Sequence, residues 1–558
     1  MKKTLYRVLS MMLVVAMGLS LAACGADSTA ATTAATEAAT EVVTEAAAEE
    51  TEAAAEETTA ETAAETEAAA ADSSKIADSL NIGTAQLWAT LSPFQTTQNQ
   101  YGNFVRLLYD RMAYIYDGEY VPQMAESWEV ADDGVTWTVK IHDNITDSEG
   151  NHITADDIVW FTQESMSRAL KPVFNKVQEV SKIDDYTIQF VMKSQVVGTF
   201  ELVLASIYGV SKTAFEASED EFAKTVVSSG PYKVVEYVAN SHLTLELRED
   251  YWNKDETHPA LQNNVKNVTY TIITEASQQQ IALETGNVDC FESLTSSLVS
   301  AFEGNSAYGN VVSPSGNGYQ LYFSGDESRP CGKSEDLCKA IAYCIDMSGV
   351  LTAAYEGRGT VMKSGASQML VGYNTKWDSE PYFEYNVDTA KEYLEKSGYN
   401  GEELILVATS GGGNDLLTQV LQTYMLAVGI NCKISLLDAA LFSSMRFDGS
   451  QYDMIVVNAG GITITNWWGV RFDMNAYEKG DGTGRKDETL TQLIYDSWTT
   501  AGYNEESIDA VNSYLNEHCY VYGLVNPDVN CVYRADTGIV SAPVNCQGVA
   551  DFVSAVFQ

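Results

Sequence analysis

The sequence is poor in basic residues, in histidine and in proline. Its 558 residues include 33 Lys and Arg against 77 Asp and Glu, which gives a formal net charge of −44, and only 5 His and 10 Pro. This acidity excludes nucleic acid as a partner, because phosphate binding requires clustered cations that release counterions. It also gives no attraction to anionic lipid headgroups.

Sequence motifs of several enzyme classes are also missing. The chain has no G-x-x-x-x-G-K-[ST], G-x-S-x-G, H-E-x-x-H or helix-opening G-x-G-x-x-G sequence. The five His are scattered and have no Cys or carboxylate partner at metal-ligand spacing. Ser410–Asn414 is glycine-rich, but it lacks the Lys of a phosphate cradle, which favours a flexible loop. These absences narrow the possible functions, and we expect no metal or cofactor.

The N-terminus has the pattern of an exported, lipid-anchored protein. Met1–Arg7 carries three positive charges, and an uncharged apolar run follows to Ala23. This is typical of a secretory signal, and the run is short for a transmembrane helix. Leu21 to Cys24 reads Leu-Ala-Ala-Cys and resembles the lipobox of bacterial lipoproteins. The resemblance implies that residues 1–23 are removed and that a lipid on Cys24 holds the protein on the outer face of the cytoplasmic membrane, facing the periplasm where a second membrane is present.

A low-complexity segment follows the lipobox. Residues 25–75 consist almost entirely of Ala, Thr and Glu, with 13 acidic residues and one Lys. Such a composition cannot bury enough apolar surface to offset the entropy of ordering. Residues 24–75 are therefore predicted to be a disordered, self-repelling spacer. A stretch with no specific role predicts the same fold and stays an alternative.

From Ile76 onward, strand and helix patterns alternate. Val135–Ile141 alternates apolar and polar residues, as a half-buried strand does. Later, strands at Leu404–Val407, Ile430–Leu436 and Met454–Val457 enclose two helices, so that a β-α-β-α-β unit with parallel strands is predicted. Ligands of such units bind beyond the carboxyl ends of the strands, which are here the loops 409–415 and 458–473. We expect an α/β fold of several packed units, because one core does not extend over so many residues.

Eight cysteines follow Cys24, and none forms a C-x-x-C pair, which disfavours zinc and redox motifs. Export permits disulfides. Cys331 and Cys338 enclose a loop of suitable length for one, and free buried thiols are the alternative.

An ordered series of segments resembles the family 5 extracellular solute-binding proteins, the oligopeptide, dipeptide and nickel receptors of ABC importers. Each segment is weak alone, but the order is maintained over nearly all of residues 80–550. The segments are Val121–Val130, Asp132–Thr138, Ile153–Trp160, Ser229–Val234, Leu243–Trp252, Ala282–Asp289, Lys339–Asp346, Ala390–Tyr399 and Tyr452–Met454.

The resemblance implies a two-lobed clamp like the periplasmic binding proteins (type II, cluster C-like), with an extra α+β domain inserted in lobe I. Carried over, lobe I comprises residues 76–110, 212–316 and 526–558, the inserted domain II residues 111–211, and lobe II residues 317–525. Hinges are expected near residues 316 and 525. Three tryptophans of the insert are predicted to be structural, namely Trp128, Trp137 and Trp160.

The implied function is capture without chemistry. A peptide or another small solute binds between the lobes, and the closed, monomeric protein docks on a membrane permease. Three alternatives stay open, namely an oligosaccharide receptor, a surface sensor that signals to a membrane receptor, and an exported hydrolase.

In peptide-binding relatives, an acid in the loop after the strand at Met454–Val457 pairs with the peptide amino group, and residues 458–468 contain no acid.

The candidate ligand contacts come from the loops that the resemblance places at the cleft. Trp467 and Trp468 offer stacking surface, with lobe packing as the alternative, and Arg471 offers a carboxylate clamp. Asp473 replaces the missing acid only if its loop folds back. The full set is Asn99, Tyr101, Tyr319, Tyr322, Asn458, Asn466, Trp467, Trp468, Arg471 and Asp473.

Overall fold

The computed structural model describes most of the chain after residue 74. The described ranges are 75–96, 101–116, 118–168, 171–254, 256–368, 370–379, 382–411, 413–459 and 463–558. The chain divides into two units, Met1–Ala69 and Ala70–Gln558, and only the second holds described residues. The predictions for the signal, for Cys24, for residues 24–74 of the spacer and for Asn99 therefore lie outside the described residues.

Strands and helices alternate along the described chain. The strands are β1 Ala77–Thr84, β2 Ala113–Tyr116, β3 Glu119–Pro122, β4 Ala125–Val130, β5 Thr136–Ile141, β6 Val177–Asp184, β7 Thr187–Met192, β8 Tyr232–Val238, β9 His242–Leu247, β10 Val265–Ile272, β11 Cys290–Leu294, β12 Tyr308–Pro314, β13 Gly318–Phe323, β14 Gly359–Val361, β15 Leu404–Thr409, β16 Cys432–Leu437, β17 Met454–Ala459, β18 Val521–Gly523, β19 Val525–Arg534, β20 Ile539–Ser541 and β21 Val556–Phe557. The α-helices are α1 Asn103–Leu108, α2 Ala155–Arg168, α3 Thr199–Leu204, α4 Lys212–Ala217, α5 Glu219–Thr225, α6 Ala276–Thr285, α7 Ser296–Val299, α8 Pro330–Lys333, α9 Glu335–Cys344, α10 Met347–Tyr355, α11 Lys376–Ser379, α12 Val387–Ser397, α13 Asn414–Ala427, α14 Ala439–Met445, α15 Ile464–Phe472, α16 Glu488–Asp496 and α17 Glu505–Glu517. Within these ranges no single helix is long and apolar enough to cross a membrane, although the bent pair α9 and α10 meets the length and composition criteria together.

Local sequence signals explain where the helices begin and end. Before α12, the Asn386 side chain accepts hydrogen bonds from the backbone N–H groups of Asp388 and Thr389 at 3.1 and 3.0 Å. Asn386 is therefore the N-cap residue of this helix, since its side chain accepts from N–H groups of the first turn. The same helix ends at Gly398, whose φ of +70° favours glycine.

Three sheets of four or more strands organise the described residues, in addition to the two-stranded sheets β2-β3 and β20-β21. The large sheet has the order β12-β19-β11-β1-β10-β9-β8, with β14 paired to β19. The small sheet has the order β4-β5-β7-β6, and the mixed sheet has the order β16-β15-β17-β13-β18. These sheets are built from the segments assigned above to lobe I, to the inserted domain and to lobe II, except that β14, in the segment assigned to lobe II, pairs with β19 of the large sheet. The boundaries between these domains stay predictions.

The large and the small sheet share one hydrophobic core. Leu80 and Leu243 of the large sheet and Val139 and Phe190 of the small sheet belong to the same buried cluster. Trp137 packs against this cluster and stacks on Phe200, with ring centroids 4.3 Å apart. Trp128 and Trp160 pack against it too, so the prediction that these three tryptophans are structural is confirmed.

The mixed sheet is covered on both faces, which explains the unbroken apolar run of β15. Leu404 and Leu406 point into one buried cluster, and Val407 points into another. β15 pairs in parallel with β16 and with β17, as predicted from the β-α-β-α-β pattern. β13 joins the sheet antiparallel to β17.

The cysteines are thiols rather than disulfides in the described residues. All eight cysteines after Cys24 are free, and all except Cys546 are buried. Cys338, on α9, donates its thiol hydrogen to the carbonyl oxygen of Cys331, on α8, at 3.4 Å. The structure therefore has the buried thiols in place of the disulfide considered for this pair, because the Cys338 sulfur hydrogen-bonds the main chain of α8.

Candidate ligand-binding site

Two of the segments that connect the large sheet to the mixed sheet lie side by side. One runs from β12 to β13, and the other runs from β18 to β19 through Leu524. The Leu524 N–H donates to the Tyr319 carbonyl at 2.9 Å, and the Gly316 N–H donates to the Gln547 carbonyl at 3.2 Å. These crossings coincide with the positions at which hinges are predicted.

A row of hydrogen-bonded polar side chains lies beside the first crossing. Asn545 Nδ2 donates to Asn103 Oδ1 at 2.8 Å and to the Tyr101 carbonyl at 3.2 Å. Asn103 Nδ2 in turn donates to Glu292 Oε1 at 3.1 Å. Three segments that are distant in sequence therefore meet at one polar surface.

Glu292 is an acid without a basic partner in this row. Part of the Glu292 side chain is accessible to solvent, but its carboxyl group is surrounded by protein. Burial raises its pKa to about 8, against the opposing hydrogen bond from Asn103. Glu292 lies on β11, one residue after Phe291, which pairs with Gly83 of the parallel strand β1. The next residue of β1, Thr84, is its last. Since ligands bind at the carboxyl ends of parallel strands, Glu292 is placed to meet a ligand. At neutral pH it can offer a hydroxyl, or a carboxylate to an incoming cation.

A buried arginine forms the basic part of the same region. Arg111 is 1% exposed, and its Nη1 donates to the Ala205 carbonyl at 3.0 Å. Its guanidinium carbon lies 5.4 Å from the ring centroid of Tyr101, 5.9 Å from that of Tyr114 and 5.3 Å from that of Tyr208. The aromatic surfaces hold this cation by cation–π attraction.

Residues 195–199 touch the side of the mixed sheet directly. Three hydrogen bonds join the two sides, namely Val197 N–H to the Trp498 carbonyl at 2.9 Å, Gln195 Nε2 to Thr500 Oγ1 at 2.8 Å, and Thr199 Oγ1 to Asn466 Oδ1 at 3.0 Å. These three contacts join polar groups, so that breaking them exposes no hydrophobic core.

Four of the residues predicted as ligand contacts lie in this region. Tyr101 packs on Arg111, and Asn466 is held by Thr199. Tyr319 and Asn458 face each other as partners on β13 and β17. That these four contact a ligand stays a prediction.

The tryptophan pair and Tyr322 are built into the interior. Trp467 is 6% exposed and Trp468 is 0% exposed, and both belong to the buried cluster on one face of the mixed sheet. Helix α15 packs on α16, and its Phe472 lies 5.5 Å from the ring of Tyr322, which is itself 2% exposed. A helix enclosed on two sides buries adjacent side chains together, so Trp468 and Tyr322 offer no surface for stacking. Trp467 and Trp468 therefore have the buried environment that the packing alternative predicts, and a ligand contact by Trp467 stays a prediction.

Arg471 and Asp473 lie at the far end of α15 from the loop at Asn458. The nine residues of this helix rise about 13 Å, and that Asp473 contacts a ligand stays a prediction. Arg471 stacks on Trp467, 4.5 Å from its ring. Asp473 accepts the Tyr495 hydroxyl and the Asn475 N–H, both at 2.9 Å. Asp473 is thus hydrogen-bonded within the protein, whereas the buried Nε of Arg471 has no hydrogen-bond partner.

Sequence analysis missed Arg111 and Glu292. Arg111 and Asp110 are adjacent charges inside the apolar stretch from Phe104 to Tyr116, and this interruption was an available signal of a special site. Glu292 has no such signal, because a single acid in a short strand is ordinary.

Two α/β halves that are joined by two adjacent crossings, with polar groups facing each other between them, define a two-lobed solute-binding clamp. Solved structures of such clamps share this fold. One is the ABC transporter substrate-binding protein CtaP from Listeria monocytogenes, with a TM-score of 0.72 and 19% identity over 87% of this chain and all of that one. Another is the oligopeptide-binding protein AppA from Bacillus subtilis in complex with a nonapeptide, with a TM-score of 0.71 and 17% identity over 87% of this chain and all of that one.

The sequence comparisons identify the family. Residues 119–480 match the model of the bacterial extracellular solute-binding proteins, family 5, and the chain belongs to this family. The oligopeptide-binding protein AppA of Bacillus subtilis is 24% identical over 73% of this chain and 76% of its own length. The di/tripeptide-binding protein 1 of Pseudomonas aeruginosa is 22% identical over 74% of this chain and 80% of its own length. Members of this family bind solutes and are not enzymes.

Proposed function

We propose that this protein is the lipid-anchored receptor of an ABC importer, which captures a peptide or another small solute between its lobes and delivers it to a membrane permease. The observation that carries the proposal is the pair of crossings together with the three hydrogen bonds from residues 195–199 to the mixed-sheet side. Such contacts favour a closed form that a ligand can stabilise. The lipobox at Cys24 supports the anchor on the outer face of the membrane.

A peptide is the solute that we propose first. Relatives of this chain are named for oligopeptides and for di- and tripeptides. The loop after β17 lacks an acid for the peptide amino group, and Glu292 supplies an acid from the other side of the site. The oligosaccharide alternative rested on exposed tryptophans and on the missing acid, and the burial of Trp467 and Trp468 removes the first of these two supports.

The test of this proposal is to identify the solute that the purified protein carries. Mass spectrometry of the material released on denaturation should detect peptides, and calorimetry with a synthetic peptide of that sequence should show binding. Deletion of the gene should abolish uptake of the same peptide. Unchanged uptake would favour the sensor alternative, turnover of the bound compound would favour a hydrolase, and the absence of peptides from the released material would contradict the solute class.

Gly198 provides a test of closure. Its φ is +77°, and a Cβ at this position would lie 2.4 Å from the Thr463 methyl group across the interface. We expect Gly198→Ala to weaken peptide binding about fivefold or more, because about 1 kcal/mol of clash in the closed form shifts the equilibrium towards the open form. Calorimetry with the identified peptide measures the loss.

Gly150→Ala is the matched control. Gly150 has a φ of +86°, and a Cβ there would meet nothing within 4 Å. It therefore carries the same backbone strain without the clash. Equal affinities for the two variants would show that residues 195–199 do not take part in closure.

Cys24 provides a test of the anchor. We expect Cys24→Ser to move the protein from the membrane fraction to the soluble fraction, because the lipid attaches to the cysteine sulfur. Cys546→Ser is the control and should leave the distribution unchanged. Retention of the Cys24→Ser protein in the membrane fraction would contradict the lipid anchor.

A further inference from the structure

Two basic side chains lie on one buried tyrosine. Lys171 Nζ is 4.2 Å from the ring centroid of Tyr208, and the guanidinium carbon of Arg111 is 5.3 Å from the same centroid. Tyr208 is 0% exposed. The Lys171 stem is partly exposed, but its Nζ is enclosed and has no hydrogen-bond partner, and the Tyr208 hydroxyl also has none.

This arrangement is unfavourable when nothing else is present. An ammonium group that leaves water loses its hydration, and the attraction to a ring face replaces only a part of that loss. The like charge of Arg111 adds repulsion. Burial and this repulsion together lower the pKa of Lys171 to about 7. Buried donors without acceptors therefore call for a missing partner.

The protein does not supply the missing acid from nearby. Asp110 precedes Arg111, but its oxygens accept hydrogen bonds from Gln123 at 2.9 Å, from the Tyr251 hydroxyl at 2.9 Å and from Trp252 at 2.6 Å. No described carboxylate lies within ion-pair distance of Lys171. Acidic residues outnumber basic ones by 77 to 33 in this chain, so an enclosed lysine without an acidic partner is unexpected.

We infer that Lys171 and Tyr208, assisted by the charge of Arg111, form a binding site for an anionic oxygen group of the carboxylate or phosphate class. A lysine ammonium and a tyrosine hydroxyl both donate to such oxygens, and charge-assisted hydrogen bonds of this kind are strong. Arg111 also contacts Tyr101, which connects this anion site to the polar row at Asn103 and Asn545. The group can therefore belong to the captured solute or to a free anion.

Inorganic phosphate is the first probe, used with the purified full-length protein. We expect phosphate to raise the thermal midpoint of the wild type in a saturable manner. Lys171→Met should weaken this apparent phosphate affinity by about 10- to 100-fold, since it removes a charged donor. Tyr208→Phe removes only the hydroxyl, so it should fold normally and weaken the affinity by less. Lys233→Met, at a side chain that is 49% exposed, is the control and should respond as the wild type does.

Trialanine and trialanine amide distinguish the two sources of the anion. If the solute provides the anionic group, the amide binds at least tenfold more weakly than the free acid, and Lys171→Met abolishes the difference. If a free anion occupies the site, both peptides bind equally and phosphate still stabilises only proteins that retain Lys171. The inference is overturned if Lys171→Met and Tyr208→Phe respond to phosphate and to both peptides as the wild type does. Failure of both peptides to bind would count against the proposed function alone, because the phosphate measurement does not depend on it.

Discussion

Replacing Asp551 with Ala is expected to lower the free energy of unfolding by about 3–5 kcal/mol, because it leaves a buried arginine without its counter-ion. Arg106 and Asp551 are each about 3% exposed, and the Arg106 Nε donates to the Asp551 carboxylate. Arg106 Nη2 also donates to Ser554 Oγ at 2.7 Å, and Nη1 donates to Asn263 Oδ1 at 3.1 Å. The ion pair thus fixes α1 to the last residues of the chain.

Urea unfolding followed by circular dichroism measures this loss. Asp78→Ala is the matched control, because Asp78 pairs with Lys266 at 2.7 Å on the surface, with side-chain exposures of 87% and 58%. Removal of that pair should leave the urea concentration at the unfolding midpoint nearly unchanged, since exposed ion pairs contribute little to the free energy of unfolding. A similar loss in both variants would contradict the assignment of the stability to the buried pair.

Replacing Trp468 with Ala is expected to lower the free energy of unfolding by about 3–5 kcal/mol and to leave the affinity of the folded protein for its peptide unchanged. Trp468 is fully buried next to Ile464 and Phe472 in the cluster beneath the mixed sheet, so its removal leaves a cavity. Urea unfolding and calorimetry on the folded protein measure the two quantities separately.

Val470→Ala is the control on the same helix. Val470 is 46% exposed, and its truncation should change stability by less than about 0.5 kcal/mol. Loss of binding by Trp468→Ala at unchanged stability would restore the stacking role that the sequence suggested for this residue. Equal stability losses for Trp468→Ala and Val470→Ala would show that the cluster around α15 is not a tightly packed core.

The parts of the fold that depend on local pattern were predictable. The parallel strands β15, β16 and β17 followed from apolar runs and from the helices between them, because a strand covered on both faces has no polar side. The structural role of Trp137 and its neighbours followed from the family resemblance. The candidate site was predicted less well, since Trp468, Tyr322 and Asp473 were placed by their position in the sequence. The course of α15 after Thr463 decided their environment.

The sequence by itself determined the class of this protein, that is, an acidic α/β solute-binding protein of family 5 without the motifs of an enzyme. Composition and periodicity are local properties, and an ordered series of weak segments identifies a family even when each segment is ambiguous. Only the tertiary structure decided which charged groups meet. The acidic Glu292 meets the amide of Asn103, which in turn meets Asn545, and Lys171 lies with Arg111 on Tyr208, across separations of many tens to hundreds of residues. Electrostatic interaction and desolvation act over a few ångströms in space, and chain position alone does not determine that distance.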